Sequence, residues 1–558
     1  MGWQPQEAKQ SMAKQRQGTL EPKFIFLLLA VIFGIFLVFP MAMIAIQSLT
    51  SGQGLTTGFY GEIFAKPAFG NALKNSIVVS SLSGALTTIL AFILAYAINY
   101  TNIHKRIKKI IAALAILPMF LPTITYGFAI IYSFGKQGLV TMLLGRQLFE
   151  IYGYSGLLIG YVIYTLPISF MLINNTMGYI DKKFMIVSRA MGDKRFRSFM
   201  TTIITPLLGT FAASFIQSFF LSFTDYGIPT SVGGNMDLVA NMLYNEMLGS
   251  LPNFHTGSAV AVMMLLPSII SIALLTYLER YNIRYNKIST IEIPKNRVRD
   301  GISCGISLLI LCLVILILAV IFVVPFAKSW PYALTPTADH VKAALSDEAL
   351  VGVYKNSLLV SVLTAAFGTL VVYGATLISA RSRFSRSLGK ILDSVALVTN
   401  TIPGMVLGVA FLLAFKGTSI QNTFFIIIIC NIVHFFSSPY LMMKNSLEKL
   451  NASWENTAKL MGDSWFKTVI RIITPNTFTT LMEVWSYYFI NAMVTVSAVI
   501  FIAGARTMVI TTKIKELQHF ADFNEIFVLS ILILATNIAA KGLFKLPAYI
   551  KRKTTKKG

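Results

Sequence analysis

Long apolar runs separated by short polar stretches extend from one end of the chain to the other. About 20 apolar residues in a helix cross a hydrocarbon core of roughly 30 Å. Runs of that length fall near 24–47, 76–100, 107–134, 155–177, 203–224 and 257–278. A second set falls near 303–327, 357–380, 391–415, 422–443, 476–502 and 526–548. The pattern predicts twelve membrane-spanning helices. The first run is too long for a signal peptide and has no small-residue cleavage site, so it is read as a helix.

Composition narrows the class. Of 558 residues, 55% are apolar and only 13% are charged, with a mean hydropathy of +0.68, where soluble proteins carry about 25% charged residues. That leaves too little polar surface for a soluble multidomain enzyme, a disordered chain or a disulfide scaffold. The fold class is an all-α polytopic membrane protein. Cys304, Cys312 and Cys430 all lie inside apolar runs without metal-ligand spacing and read as small hydrophobes.

Charge sets the predicted orientation. The chain holds 47 Lys and Arg against 23 Asp and Glu, a net of +24. With the N-terminus and every second loop on the cytoplasmic side, 36 of those 47 cations are cytoplasmic, as the positive-inside rule expects. The basic excess is therefore assigned to membrane orientation and not to a nucleic-acid partner. One external loop, 225–256, has no Lys or Arg but carries Asp225, Asp237 and Glu246. Both termini are expected in the cytoplasm.

The chain also repeats itself. Lys74-Asn75-Ser76 recurs as Lys355-Asn356-Ser357, and Pro122 and Gly127 recur as Pro403 and Gly408. Ala190-Met191-Gly192-Asp193 is echoed by Leu460-Met461-Gly462-Asp463, and Ile203-Ile204-Thr205-Pro206 by Ile472-Ile473-Thr474-Pro475. The expected organisation is a first half over 1–278, a basic cytoplasmic linker over 279–302 and a second half over 303–558. Six spans return each half to its starting side. The two repeats are then parallel and related by an axis along the membrane normal, with a pathway between them.

The loops at 178–206 and 445–475 carry the most distinctive pattern. Asp181 and Asn451 can cap a short amphipathic helix, and Gly192 and Gly462 can end it. A helix resting on lipid headgroups is the plain reading of one such loop; two copies at matching positions argue for more. The pattern resembles the EAA loop of type I ABC importer permeases, and the six-plus-six layout extends that resemblance over essentially the whole chain. The family's glutamate position is occupied by Ile186 in the first copy and Asn456 in the second. By this resemblance Ala190, Met191, Gly192 and Asp193, with Ala458, Leu460, Met461, Gly462 and Asp463, dock onto two ATP-binding cassette subunits. An extracytoplasmic solute-binding protein would deliver the solute, and the chain would lie in a bacterial cytoplasmic (inner) membrane.

No GxxxxGK[ST] phosphate loop occurs in the chain. Cofactors are therefore expected on the partner, as ATP and magnesium, with no metal and no catalytic residue here. A proton- or sodium-coupled carrier would need ionisable residues inside its spans. Few are present, Glu483 being the clearest and His434 lying near the tenth span. A membrane-embedded enzyme would need a catalytic constellation, and none is found. Gln217, Asp225, Tyr226, Glu483, Tyr487, Tyr488 and Asn491 are the polar candidates for the translocation path. The stretches 222–234 and 495–501 resemble the fused permeases of ferric-iron importers, and also of 2-aminoethylphosphonate and polyamine importers.

Overall fold

The computed structural model describes residues 21–52, 54–278, 294–381, 386–451 and 453–555. Most of the linker expected at 279–302, residues 279–293, lies outside the described residues, as does the basic stretch before residue 21.

Among the described residues, nine helices are long and apolar enough to cross a membrane, and two bent helix pairs raise the number to eleven. The remaining expected span is also helical. Residues 465–494 run without a break and hold the place in the second repeat that Arg195–Thr224 holds in the first. Thr474, Asn476, Thr480, Glu483 and Asn491 make it more polar than the others.

Three expected spans are not single helices. The run 107–134 divides into Lys105–Ile116, a 3-10 turn Leu117–Phe120 and Thr123–Phe134. Its counterpart 391–415 divides into Arg386–Thr401 and Gly404–Ala414, bent by 103°. Both breaks come at a proline. Pro122 and Pro403 have ψ of 146° and 144°, and Leu121 is extended at φ −113°, ψ 147°. Proline disfavours the helical conformation in the residue before it and lacks the N–H that would continue the ladder. The run 422–443 likewise bends by 56° between Phe424–His434 and Ser437–Glu448. There Pro439 removes the donor for the Phe435 carbonyl.

The other repeated motifs now have physical causes. Asn75 Nδ2 donates to the Asp237 carbonyl at 3.1 Å, and Ser76 Oγ accepts the Val239 N–H at 3.0 Å. Asn356 and Ser357 do the same for Met508 (3.1 Å) and Ile510 (2.7 Å). In each repeat the Asn-Ser pair thus seats the start of a later helix, Val239–Leu248 or Ile510–Phe520. The Thr-Pro pairs produce π-helical turns, Met200–Ile204 and Val469–Ile473. Proline cannot bond the carbonyl four residues back, so the helix widens by one residue just before it. The hydroxyls of Thr205 and Thr474 cover the Met200 and Val469 carbonyls, each at 2.9 Å.

The chain folds into two compact units that interleave the sequence halves. Of the described residues, one unit takes 21–46, 352–510 and 535–555, and the other takes 47–351 and 511–534. The first span therefore packs with the second repeat: Phe33 meets Phe436 edge-on at 4.7 Å, and Phe36 meets Phe415 and Phe425. The seventh span, Arg297–Phe326, packs with the first repeat, where Ser133 Oγ donates to the Ile317 carbonyl.

Inside the unit built on the first repeat, hydroxyl pairs join the second, fourth and fifth spans: Thr87–Thr165 at 2.9 Å, Ser169–Ser218 at 2.8 Å and Thr88–Ser214 at 3.0 Å. Small residues let membrane helices approach closely, and paired hydroxyls add modestly to that packing. The three cysteines are free thiols. Cys430 is buried, Cys304 is half-buried and Cys312 is exposed on the side of its span.

Candidate functional site

Each repeat sends out one short helix between its fourth and fifth spans, and the two are built alike. Asp181 Oδ1 accepts the Lys183 N–H at 3.0 Å, and Asn451 Oδ1 accepts the Ser453 N–H at 2.9 Å. These side chains turn the backbone into helices Lys183–Ala190 and Ser453–Leu460. Gly192 and Gly462 end them at φ +87° and +81°. The Asp193 N–H returns to the Ser188 carbonyl at 3.1 Å and the Asp463 N–H to the Ala458 carbonyl at 3.0 Å. This closes the left-handed helix end that glycine adopts at least cost.

The closed turn pushes apolar side chains outward. Met191 is 80% exposed, Leu460 88% and Met461 79%. Ala190, Gly192 and Gly462 are exposed as well, whereas Ala458 is buried against its own unit. Asp193 accepts a 2.7 Å hydrogen bond from Ser188 Oγ and pairs with Arg197 at 3.3 Å; Asp463 pairs with Lys467. Both carboxylates are thus engaged within their loops. Phe196 (71% exposed) and Phe466 (54%) extend the two apolar tips. Sequence reasoning passed over them, although each lies four residues past its glycine.

The loops differ in how they are anchored. In the second, Glu455 on helix Ser453–Leu460 pairs with Arg381 through two bonds of 2.5 Å. The Arg381 guanidinium also donates to the carbonyls of Leu450 (2.9 Å), Asn451 (3.2 Å) and Leu447 (3.4 Å), and its side chain is only 4% exposed. Glu21, at the start of the first span, accepts the Phe466 N–H at 3.1 Å. In the first loop the matching anchor is Met185, buried and apolar. The sequence pattern looked for a glutamate six residues before the glycine. Glu455 stands seven before it, and nothing local pointed to Arg381.

The path candidates fall into distinct settings. Glu483 is exposed on helix Thr474–Val494, and Tyr487 and Asn491, half-buried, follow it at four-residue spacing along one face. Asn491 Nδ2 donates to the Tyr487 carbonyl at 2.8 Å. Gln217 is half-buried on helix Thr205–Thr224. Tyr488 is wholly buried: its hydroxyl donates to the Ile432 carbonyl at 3.3 Å and its ring lies against Gly368.

Asp225 sits just past the end of helix Thr205–Thr224 and accepts the Ile228 N–H at 2.8 Å. Burial pushes its carboxyl up to about 6, against the pull of the Ile228 N–H, the Thr123 hydroxyl and the N–H groups of Gly227 and Tyr226. Tyr226 stacks on Tyr244 at 4.7 Å, with the Lys515 ammonium 5.9 Å from its ring. Lys515 donates to Thr230 Oγ1 (2.5 Å) and Gln518 Oε1 (2.9 Å), and burial draws it down to about 8.

A polar cavity of about 630 Å³ opens beside the acidic loop, lined by Lys66, Asp237, Asn241, Asn245, Glu246 and Asn253 among others. Lys66 and Glu246 pair across it at 3.0 Å. Among the described residues, no three His, Cys, Asp or Glu side chains are grouped to hold a metal ion.

Residues 87–283 and 372–546 each match the family model described as binding-protein-dependent transport system inner membrane component. The two matches fall one on each repeat and together cover well over half of the chain. The ferric transport system permease protein FbpB of Actinobacillus pleuropneumoniae is 27% identical over 499 residues, which is 86% of this chain and 71% of that protein. Putative ferric transport system permease protein FbpB 1 of Haemophilus influenzae is 27% identical over 501 residues, 86% of this chain and 78% of that protein. Among solved structures, a chain of a bacterial ABC transporter involved in import of the acidic polysaccharide alginate aligns over 48% of this chain and 99% of its own. That alignment has 16% identity and a TM-score of 0.35.

Proposed function

The chain belongs to the family of binding-protein-dependent transport system inner membrane components, and from that premise we propose that it is the permease of a ferric-iron importer driven by a separate ATPase. Two curated ferric permeases align with 86% of the chain, which supports iron as the cargo. The observation that carries the coupling is the pair of glycine-closed turns at Gly192 and Gly462, each presenting bare apolar side chains. A methionine or leucine 80% exposed on a loop tip loses apolar area to water unless a partner covers it.

The loops at 178–206 and 445–475 face the cytoplasm, as do both termini, and each docks on one ATP-binding cassette subunit. Ala190, Met191 and Gly192 form the first contact, and Leu460, Met461 and Gly462 the second. Ala458, Asp193 and Asp463 hold the turns in shape. ATP and magnesium act on the partner; closure of the ATPase pair moves the two loops and switches the permease between its two open states. Binding of the solute receptor falls to the opposite face, where the acidic loop 225–256 and its polar cavity lie.

Gln217, Glu483, Tyr487 and Asn491 line the translocation path. A carboxylate exposed on the side of a membrane helix is expensive against lipid, so Glu483 faces a polar space. Asp225, Tyr226 and Tyr488 shape that path from behind through the contacts they make.

The test is uptake of radioactive ferric iron by cells expressing the chain with its ATPase and receptor, compared with the same cells carrying both Gly192→Val and Gly462→Val. Uptake should fall at least tenfold with the protein still in the membrane. Undiminished uptake would remove the docking assignment. Uptake of 2-aminoethylphosphonate in place of iron would move the cargo to that class.

A further inference from the structure

The two repeats build the same corner with different chemistry. In the first, the break before Thr123 is met by the turn that follows helix Thr205–Thr224. A Cβ on Gly227 would collide with Thr123 Oγ1, so the two backbones touch. The Asp225 carboxylate fills this corner, taking hydrogen bonds from Ile228, Gly227, Tyr226 and the Thr123 hydroxyl. Buried Tyr161 has Asp225 and Tyr164 as electrostatic neighbours.

In the second repeat, the break before Gly404 is met by the turn after helix Thr474–Val494. Here a Cβ on Gly404 would collide with Ser497 Oγ and lie 3.1 Å from His434 Nε2. The register is the same. The Thr230 N–H bonds to the Tyr226 carbonyl, and 270 residues later the Ile500 N–H bonds to the Val496 carbonyl. Thr495 therefore stands where Asp225 stands and Ser497 where Gly227 does. The same offset puts His434 at the place of Tyr164 and Asn431 at the place of Tyr161.

The first corner holds its own anion; the residues matched in the second, Gly404, Thr495 and Ser497, carry no carboxylate. Instead, unmet polar atoms lie on the helix Phe424–His434, which brings His434 Nε2 to this second corner. Asn431 is fully buried, and neither its amide nitrogen nor its amide oxygen has a hydrogen-bond partner. His434 lies one turn on along the same helix face, and its buried Nδ1 has no partner either. His434 Nε2 reaches the start of helix Gly404–Ala414, whose first N–H groups have no side-chain cap. Buried polar groups left unpaired are costly, and helix N-termini attract negative charge. The absence of any carboxylate among these five residues argues against a bound cation.

We propose that the corner at Gly404 is a binding site for a small oxyanion, a phosphate, phosphonate or carboxylate group. Asn431, His434, Thr495, Ser497 and the first N–H groups of helix Gly404–Ala414 supply the donors, and the ligand does there what the Asp225 carboxylate does in the other repeat. The proposal rests on the chain being a solute permease, because the oxyanion is either part of the solute or an anion bound alongside it.

The test uses the full chain in lipid nanodiscs with 15N-labelled histidine, the His434 signal being assigned with His434→Gln. Titration with inorganic phosphate should shift that signal saturably. Thr495→Asp, which restores the carboxylate of the first repeat, should abolish the shift and raise the melting temperature without phosphate. Asn431→Leu should weaken phosphate binding about tenfold, which keeps the proposal testable if Thr495→Asp does not fold. A His434 signal indifferent to phosphate, or titrating unchanged in both variants, overturns it.

Uptake separates the two sources. A bound accompanying anion makes ferric uptake depend on added phosphate, and an anionic solute makes 2-aminoethylphosphonate uptake saturable; Thr495→Asp abolishes either. Iron uptake that survives Gly192→Val with Gly462→Val would sink the docking assignment alone and leave the phosphate titration standing.

Discussion

The two loops that leave the bundle between the fourth and fifth spans share one outer shape and have different roots. At the tip, Gly192 and Gly462 adopt nearly the same left-handed conformation and present the same kind of apolar side chains. At the root, the first loop rests on buried Met185, while the second is clamped by Arg381 to Glu455 and to three backbone carbonyls. The turn is constrained by what it must present; the anchor need only hold. An apolar contact and a saturated guanidinium do that equally well, but they respond differently to damage.

Breaking the shared feature should have the largest effect. Gly192→Val or Gly462→Val puts a β-branched residue at φ near +85°, at about 1–3 kcal/mol of backbone strain. No neighbour lies within 4 Å of the added Cβ, so the effect is conformational and not steric. Solute uptake should fall at least tenfold, while Gly→Asn, which tolerates this conformation, should keep most of it. Comparable losses for Val and Asn would show that the turn matters for some other reason.

Next comes the ionic root. Arg381→Met leaves Glu455 and three carbonyls without their donor, at about 3 kcal/mol. Thermal melting and protease cleavage within 445–475 should both report it. The double variant Arg381→Met with Glu455→Met should recover part of the loss, and strict additivity would mean the pair is not coupled. Met185→Ala in the first loop should cost about 2 kcal/mol through the cavity it leaves, with cleavage appearing within 178–206 and not in the second loop. The smallest effect belongs to Asp463→Asn, which removes a solvent-exposed pair with Lys467 and should cost about 0.5 kcal/mol in the same melting assay.

Much of this architecture is legible along the chain because its causes are local. Proline residues break the third and ninth spans and widen the helices before Pro206 and Pro475. The glycine ends of the loop helices follow from the same backbone rules. Less was legible where partners lie far apart. Arg381 and Glu455 are 74 residues apart, and no periodicity links them. The Asn-Ser pairs were visible as repeats, but their work of seating a helix about 160 residues on was not. Tyr488 read as a polar path residue and is packed on Gly368, because a tyrosine carries both an apolar ring and a polar tip.

By itself, the order of residues determined that this is a duplicated membrane helix bundle, where its helices break, and which turns are left-handed. Each of these depends on contacts within a few residues or on transfer from water to lipid, which composition reports directly. Only the tertiary structure decided that the first and seventh spans pack with the opposite repeats. It alone showed that the Asp225 carboxylate fills the corner at Thr123, while Ser497 and His434 meet at the corner of Gly404. Lipid-facing and protein-facing apolar residues look alike in sequence, and which polar groups find partners is settled when distant segments meet.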